Sequence, residues 1–242
     1  MNVGPEVFGE DYLYFYEPLL TAQRSDEETG LIWRVLGLEP GSTVLDRACG
    51  HGRIPNRLAM RGARATGLAS YPTFLARARQ DARTLDVDVD YVEGDMRALP
   101  WEEQFDAVAL WFTAFGYFDD EGNDAVLREI RRALRPGGRV AIEMNHLAWL
   151  LRRHQPQSVV QRGDDLMLDE RTWHPASSVM ETRRVTVRDG RMREATFSIR
   201  MYMPAELGAA LARAGFSAVQ LLGESGEPIR DDSRRLVAVA VR

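Results

Sequence analysis

The sequence predicts an α/β fold: a doubly wound, mostly parallel seven-stranded sheet with a small antiparallel insertion. Three observations carry this reading. Short apolar runs alternate with helix-like segments from about residue 43 to residue 145, the pattern of strands joined by helical crossovers. A small-residue turn of Ala48, Cys49, Gly50 and Gly52 sits between the first apolar run and the first of those helices. After Asn145 the spacing changes, and residues 158–202 alternate with a period of two, broken by turns.

The elements follow in chain order. Residues 6–38 are rich in aromatics at helical spacing, with Tyr12, Phe15, Tyr16, Leu19 and Leu20, then Leu31, Ile32, Val35 and Leu36. Gly37 and Pro40-Gly41 end that helical pattern. Strands are expected at 43–48, 64–69, 88–93, 105–111 and 138–145, and helices at 53–61, 72–85 and 122–134. RPGG at 135–138 reads as a turn before the fifth strand. Within the insertion, 166–171, 180–187 and 195–202 read as strands, with Asp189-Gly190 as a hairpin turn. A helix over 204–214 opens at Pro204, a residue suited to the first helical position, and ends at Gly215. Strands at 216–222 and 235–241 close the chain. The expected organisation is an N-terminal helical lid segment (1–40), an α/β core (41–145 and 203–242) and an antiparallel insertion (158–202).

Composition narrows the functions. The 242 residues are 45% hydrophobic, enough for a sizeable core. A formal net charge of −5, with no long basic run, makes nucleic acid a poor partner. The single cysteine, Cys49, excludes an internal disulfide and suits a reducing compartment. No basic leader and no run long enough to cross a membrane is legible, so a cytoplasmic protein with no membrane partner is expected. No metal site is expected either. The histidines lack ligand spacing, Asp119-Asp120 reads as a helix start, and no serine stands in a nucleophile-elbow sequence.

The strand–turn–helix–strand unit at 43–69 is a nucleotide-binding pattern with one omission. Small residues at the turn let a ligand approach the backbone, and the helix start offers free N–H groups. Such units carry an acid about 20 residues on to hold ribose hydroxyls. Here the second strand ends Gly67-Leu68-Ala69-Ser70, without one. Four segments in this order resemble the class I S-adenosylmethionine-dependent methyltransferases of small-molecule type. They are VLDRACGHGR (44–53), EGDMRALPW (93–101), FDAVALWF (105–112) and LRPGGRVAIE (134–143). The resemblance covers residues 40–145 and implies a Rossmann-like methyltransferase fold binding S-adenosylmethionine. It carries the cofactor site onto Asp46, Ala48, Gly50, Gly52, Asp95, Met96 and Trp111, with Ala69 at the degenerate ribose position. A second departure is Arg47, where the family has an aliphatic residue. Strand alternation turns Arg47 away from Asp46 toward a helix layer, where an unpaired charge is expensive.

The substrate is expected beyond the carboxyl ends of the strands. Tyr12, Phe112, Phe115 and Tyr117 are candidate substrate contacts, aromatic walls that suit a largely apolar small molecule or a cationic centre developing at nitrogen. His146, at the end of the fifth strand, is the candidate general base, since an ordinary imidazole exchanges protons near neutrality. Tyr14 and Tyr16 are candidates to orient the substrate. His51 falls in the turn, and His154 and His174 have no evident partner.

Two functions stay open. One is an S-adenosylmethionine-dependent N- or O-methyltransferase of a small, largely apolar metabolite. The other is a non-methylating enzyme on the same scaffold, a cyclase or pericyclase acting on a polyketide-like substrate by conformational restraint, with cofactor binding weakened or lost. The insertion could also serve a homodimer contact.

Overall fold

The computed structural model describes residues 7–242; residues 1–6, the start of the segment expected as a lid, lie outside the described residues. The chain opens with α1 (Glu10–Tyr16), a 3-10 turn (Glu17–Leu19) and α2 (Ala22–Leu36). Thr21 caps α2 by accepting from the Arg24 N–H, and Gly37 ends it in the left-handed conformation. The alternating region forms β1 (Thr43–Arg47), α3 (Arg53–Met60), β2 (Arg64–Ala69), α4 (Pro72–Thr84), β3 (Val89–Glu93), β4 (Phe105–Leu110), α5 (Asp120–Ala133) and β5 (Leu134–Asn145). A short α6 (Leu147–Arg152) leads to four strands, β6 (Gln157–Arg162), β7 (Asp165–His174), β8 (Val179–Arg188) and β9 (Arg191–Arg200). The chain closes with α7 (Pro204–Arg213), β10 (Ser217–Leu222) and β11 (Arg235–Val241).

Seven strands form one sheet in the order β10-β11-β5-β4-β1-β2-β3. The five from β3 to β5 are parallel, and β11 runs antiparallel to β5 and to β10. The strand order reverses direction at β1 and β4, the crevice where ligands of open α/β sheets sit. Alternation along each strand divides the core. Val44, Ala107 and Val237 pack on Ile32, Ile54 and Leu58 of α2 and α3. Their neighbours Leu45, Val108 and Leu236 face Val126 and Ile130 of α5 and Leu207 and Leu211 of α7.

The antiparallel strands make a separate sheet, β6-β7-β8-β9. It holds one strand more than the three expected, β6. β6 pairs with β7 along its whole length, from Gln157 opposite Glu170 to Arg162 opposite Asp165. The RPGG turn is absorbed into β5. Phe105 pairs with Leu134 and Ala107 with Arg139, so the residues between bulge out of register. Asp119 caps α5, its carboxylate accepting from the Gly122 N–H at 2.8 Å. His154 lies past the end of α6. No helix among the described residues is long and apolar enough to cross a membrane.

Arg47 reaches the helix layer that strand alternation assigns to it. It is fully buried, Nη1 donates to the Val126 carbonyl of α5 at 2.7 Å, and Nε and Nη2 have no partner. Burial lowers its pKa to about 9, against the pull of Glu129 and Asp95.

Candidate functional site

A cavity of about 990 Å³ opens beyond the carboxyl ends of β1 to β4 and continues beneath the four-stranded sheet. One end is backbone and carboxylates; the other is aromatic.

The turn after β1 shapes the first end. Ala48, Gly50 and Gly52 all take positive φ, at 72°, 55° and 81°. The N–H groups of Ala48 and Cys49 donate to the Leu68 carbonyl, tying the turn to β2. Those of Gly50 and His51 have no partner among the described residues. A Cβ on Gly50 would find only the Phe74 ring, 3.9 Å away, so its absence leaves room at the cavity wall. Gly52 has a different cause. A Cβ there would lie 2.3 Å from the Tyr91 hydroxyl and 2.7 Å from Ala78 Cβ, and Gly52 does not line the cavity. It is glycine for packing, whereas the sequence reading had placed it against a cofactor.

Asp46 lies on this wall, 3% exposed, and its carboxylate has no hydrogen bond among the described residues. Burial raises its pKa to about 7, opposed by the charge of Arg53. Arg53 is itself paired with Glu28 at 2.5 Å. An uncompensated carboxylate in such a place favours a cationic ligand group. His51 also lines the wall, and burial with the nearby Arg53 charge lowers its pKa to about 4, so its imidazole is neutral at physiological pH.

Ala69 lies on the cavity wall at the end of β2. Its register partner on β3 is Glu93, exposed at the cavity and without a partner among the described residues. Registered residues of parallel strands face the same side of the sheet. An acid is therefore present one strand over from the place where the sequence lacks one. Asp95 and Met96 follow on the same wall. Both oxygens of Asp95 receive the Arg97 guanidinium, at 2.6 Å for the shortest contact. That hydrogen bonding holds the Asp95 carboxyl below its ordinary pKa.

The other end is an aromatic chamber. Tyr12 stacks on Tyr16 with ring centres 4.4 Å apart, and Phe8 meets both Tyr12 and Tyr117 edge-on at 5.3 Å. Burial keeps the phenols of Tyr12 and Tyr117 above their ordinary pKa, hence protonated. Trp111 and Phe112 continue the wall. Phe112 and Thr113 both adopt the left-handed conformation, at φ 63° and 55°, strain that a bulky residue carries only when its surroundings enforce it. Glu143 enforces it: its side chain accepts from the Phe112 N–H at 2.7 Å and its carbonyl from the Thr113 N–H at 3.1 Å. The Arg24 and Arg53 guanidiniums lie 5.0 and 5.4 Å from the Phe112 ring centre.

β7 and β8 cover the chamber with charge. Asp169 accepts from Arg184 Nε at 2.7 Å and Nη2 at 2.9 Å, and from Arg171 Nη2 at 3.0 Å. Arg184 Nη2 also donates to the Tyr16 hydroxyl at 3.1 Å, binding α1 to the sheet.

Three candidates from the sequence stand elsewhere. Tyr14 turns to the outside of α1, where its hydroxyl donates to the Arg162 carbonyl and its ring lies between the Arg162 and Arg188 guanidiniums. Residues two apart on a helix point to nearly opposite sides of its axis, so Tyr14 and Tyr16 do not share a face. His146 is 4% exposed and off the cavity wall; its Nδ1 donates to the Ser233 carbonyl at 2.8 Å, and its backbone carbonyl receives the Leu150 N–H of α6. Phe115 is core, packed against Tyr202 at 5.3 Å. Tyr12, Tyr16, Phe112 and Tyr117 do meet in the chamber, and Asp46, Ala48, Gly50, Ala69, Asp95, Met96 and Trp111 line the same cavity. Sequence reasoning missed Glu93 and the Asp169–Arg171–Arg184 cluster. Strand register would have pointed to Glu93; nothing local marks the others. Among the described residues no group of three or more His, Cys, Asp or Glu is placed to hold a metal ion.

Comparison with known proteins agrees with this layout. Residues 44–138 match the family model described as a methyltransferase domain. The chain is 36% identical over 138 residues to a cypemycin N-terminal methyltransferase of a Streptomyces species, covering 55% of this chain and 54% of that protein. It thus spans about half the length of the curated relatives it matches. Among solved structures, an S-adenosylmethionine-dependent methyltransferase from Clostridium acetobutylicum superposes with a TM-score of 0.81 at 14% identity, covering 95% of this chain and 97% of the other. An S-adenosylmethionine-bound amino pentose methyltransferase from Micromonospora echinaspora superposes with a TM-score of 0.66 at 24% identity, covering 94% and 96%. At these identities the structural likeness speaks for the fold.

Proposed function

We propose that the protein methylates a nitrogen or oxygen of a small, largely apolar molecule; the match of residues 44–138 to a methyltransferase-domain model and the methyltransferase-like fold support this reading. The observation that carries this reading is the continuity of the cavity: the glycine turn and the aromatic chamber share one space. The turn end fits the cofactor chemically. Free N–H groups of Gly50 and His51 suit its carboxylate, and unpaired Asp46 suits its ammonium. The partnerless Glu93 carboxylate would take the ribose hydroxyls in place of the missing acid at Ala69, and Asp95, on the same wall, would accept from the adenine amino group. When bound, S-adenosylmethionine supplies a methyl group already activated by its sulfonium.

The chain then has to align and enclose. Tyr12, Tyr16, Tyr117 and Phe112 hold a flat, apolar body, and their ring faces favour positive charge developing at a nucleophilic nitrogen. The segment 7–40, bound to β8 and β9 through Asp11 with Arg188 and Arg193, covers the chamber and keeps water from the reacting atoms. Tyr16 orients the substrate through its hydroxyl. A non-methylating cyclase is favoured by one feature only, the alanine at position 69.

Calorimetric titration with S-adenosylmethionine and with S-adenosylhomocysteine tests the proposal. Micromolar binding of both is expected. Binding no better than millimolar, with catalytic turnover unaffected by stripping the cofactor, would establish the cyclase reading instead.

A further inference from the structure

The chamber carries more than an apolar wall needs. Arg184 is 5% exposed and Asp169 3%, both on the cavity lining. Buried charge is costly unless matched; here the buried Arg184 and the partly exposed Arg171 share one carboxylate. No other carboxylate of the described residues lies within 4 Å of either. The cluster therefore carries one net positive charge, with Arg184 and Asp169 buried and the Arg171 side chain 28% exposed.

Its open hydrogen-bonding positions include three donors. Arg184 uses Nε and Nη2 on Asp169 and Tyr16, and Nη1 has no partner among the described residues. The Tyr16 hydroxyl accepts from Arg184, so its own proton is free to donate. Thr182, on the same strand as Arg184 two residues earlier, is 3% exposed, lines the cavity and has no side-chain hydrogen bond. The guanidinium is fixed as well as charged: its carbon lies 5.2 Å from the Phe197 ring centre and 5.6 Å from that of Tyr16. A donor-rich corner with net positive charge matches an anionic oxygen pair.

We infer that Arg184, Tyr16 and Thr182 form an anion-binding corner of the chamber, and that the molecule methylated is an aromatic or apolar acid whose carboxylate or phosphate monoester binds there. This rests on the methyltransferase reading for the word methylated; the corner itself does not. The acid anchors at β8, and its body lies along Tyr12, Tyr16 and Phe197 toward the glycine turn. The recognised substrate is thus amphipathic, where aromatic walls alone suggest an apolar one.

The test uses the full chain saturated with S-adenosylhomocysteine and titrated with 2-naphthoate, its uncharged isostere 2-naphthamide, and 2-naphthyl phosphate. A preference for the carboxylate over the amide of about tenfold or more is expected, from the extra strength of charge-assisted bonds. The phosphate arm tells which acid the corner prefers. Arg184→Met removes the donor and one positive charge and leaves Asp169 paired with Arg171; should it fail to fold, Arg184→Gln takes its place. The substitution should abolish the preference while S-adenosylhomocysteine affinity stays within about twofold of the parent. Equal binding of acid and amide, no measurable binding of any acid at millimolar concentration, or a preference that survives in the Arg184 variant would overturn the assignment. If the protein does not bind S-adenosylhomocysteine but still prefers the acid through Arg184, the corner stands and the methyltransferase reading falls. If the nucleoside binds and the acid preference is missing, the reverse holds.

Discussion

Glu93→Gln is expected to weaken S-adenosylhomocysteine binding by about five- to thirtyfold. Glu93 and Ala69 are register partners on adjacent parallel strands, so their side chains leave the same face about 4.8 Å apart. Glutamate is one methylene longer than the aspartate usual at the end of the second strand, which makes up part of that offset. A carboxylate that accepts from two ribose hydroxyls gains roughly 1 kcal/mol per bond over a neutral amide. Two bonds make about 2 kcal/mol, and solvent at the exposed Glu93 trims this to roughly 1–2 kcal/mol. At about 1.4 kcal/mol per decade, that is the range stated. The assay is calorimetric titration of parent and variant with S-adenosylhomocysteine and with its 2′,3′-dideoxy analogue. The analogue should bind the parent more weakly by a similar factor and lose nothing more in the variant, because the interaction removed is the same one. Adding Ala69→Asp to Glu93→Gln should recover most of the loss. Unchanged affinity in Glu93→Gln, or equal losses for nucleoside and analogue, would refute the reasoning.

Other consequences concern the turn and the core. Gly52→Ala should destabilise the fold, because its Cβ would press on Tyr91 and Ala78, whereas Gly50→Ala should cost only its left-handed φ, about 1 kcal/mol, and reduce cofactor affinity; thermal melts and titrations separate the two. Asp46, held at about 7 against 3.8 for the free group, keeps a proton that the unfolded chain has released. Stability of the ligand-free protein should therefore fall as pH rises from about 4 to about 7, and urea titrations should show a shallower fall in Asp46→Asn. Arg47→Met should raise stability by about 1–4 kcal/mol, read as a higher melting temperature, since it removes a desolvated guanidinium with two unpartnered nitrogens. The depressed pKa of Arg47 has its own sign: the cost is fully present below pH 9 and is relieved toward pH 12.5, so the gain from Arg47→Met should shrink in alkali.

The backbone of the site was legible in the sequence because it depends on local rules. Alternating apolar runs define β1 to β5, and small residues after Asp46 define a turn that a ligand can approach. The place of Arg47 followed from strand alternation alone, since Asp46 and Arg47 must face opposite layers. Two glycines of one motif looked alike yet differ in cause. Only the neighbours of Gly52, Tyr91 and Ala78, both more than 25 positions away in sequence, show that it serves packing.

Side-chain partnership was left to the tertiary structure, for the same reason. His146 is attractive as a lone imidazole after a strand, but Ser233, from the far end of the chain, takes its Nδ1 proton. Tyr14 and Tyr16 are near neighbours, and helical rotation sends one to the outer arginines and the other to the chamber. Asp169, Arg171 and Arg184 sit in strands whose alternation says only that some residues face inward. That the inward face covers a ligand cavity, and that α1 brings Tyr16 to it across 168 residues of chain, is decided by how the second sheet docks on the first. Local periodicity fixes which residues share a face; what that face meets is set by long-range packing, and there the charges of this site found their partners.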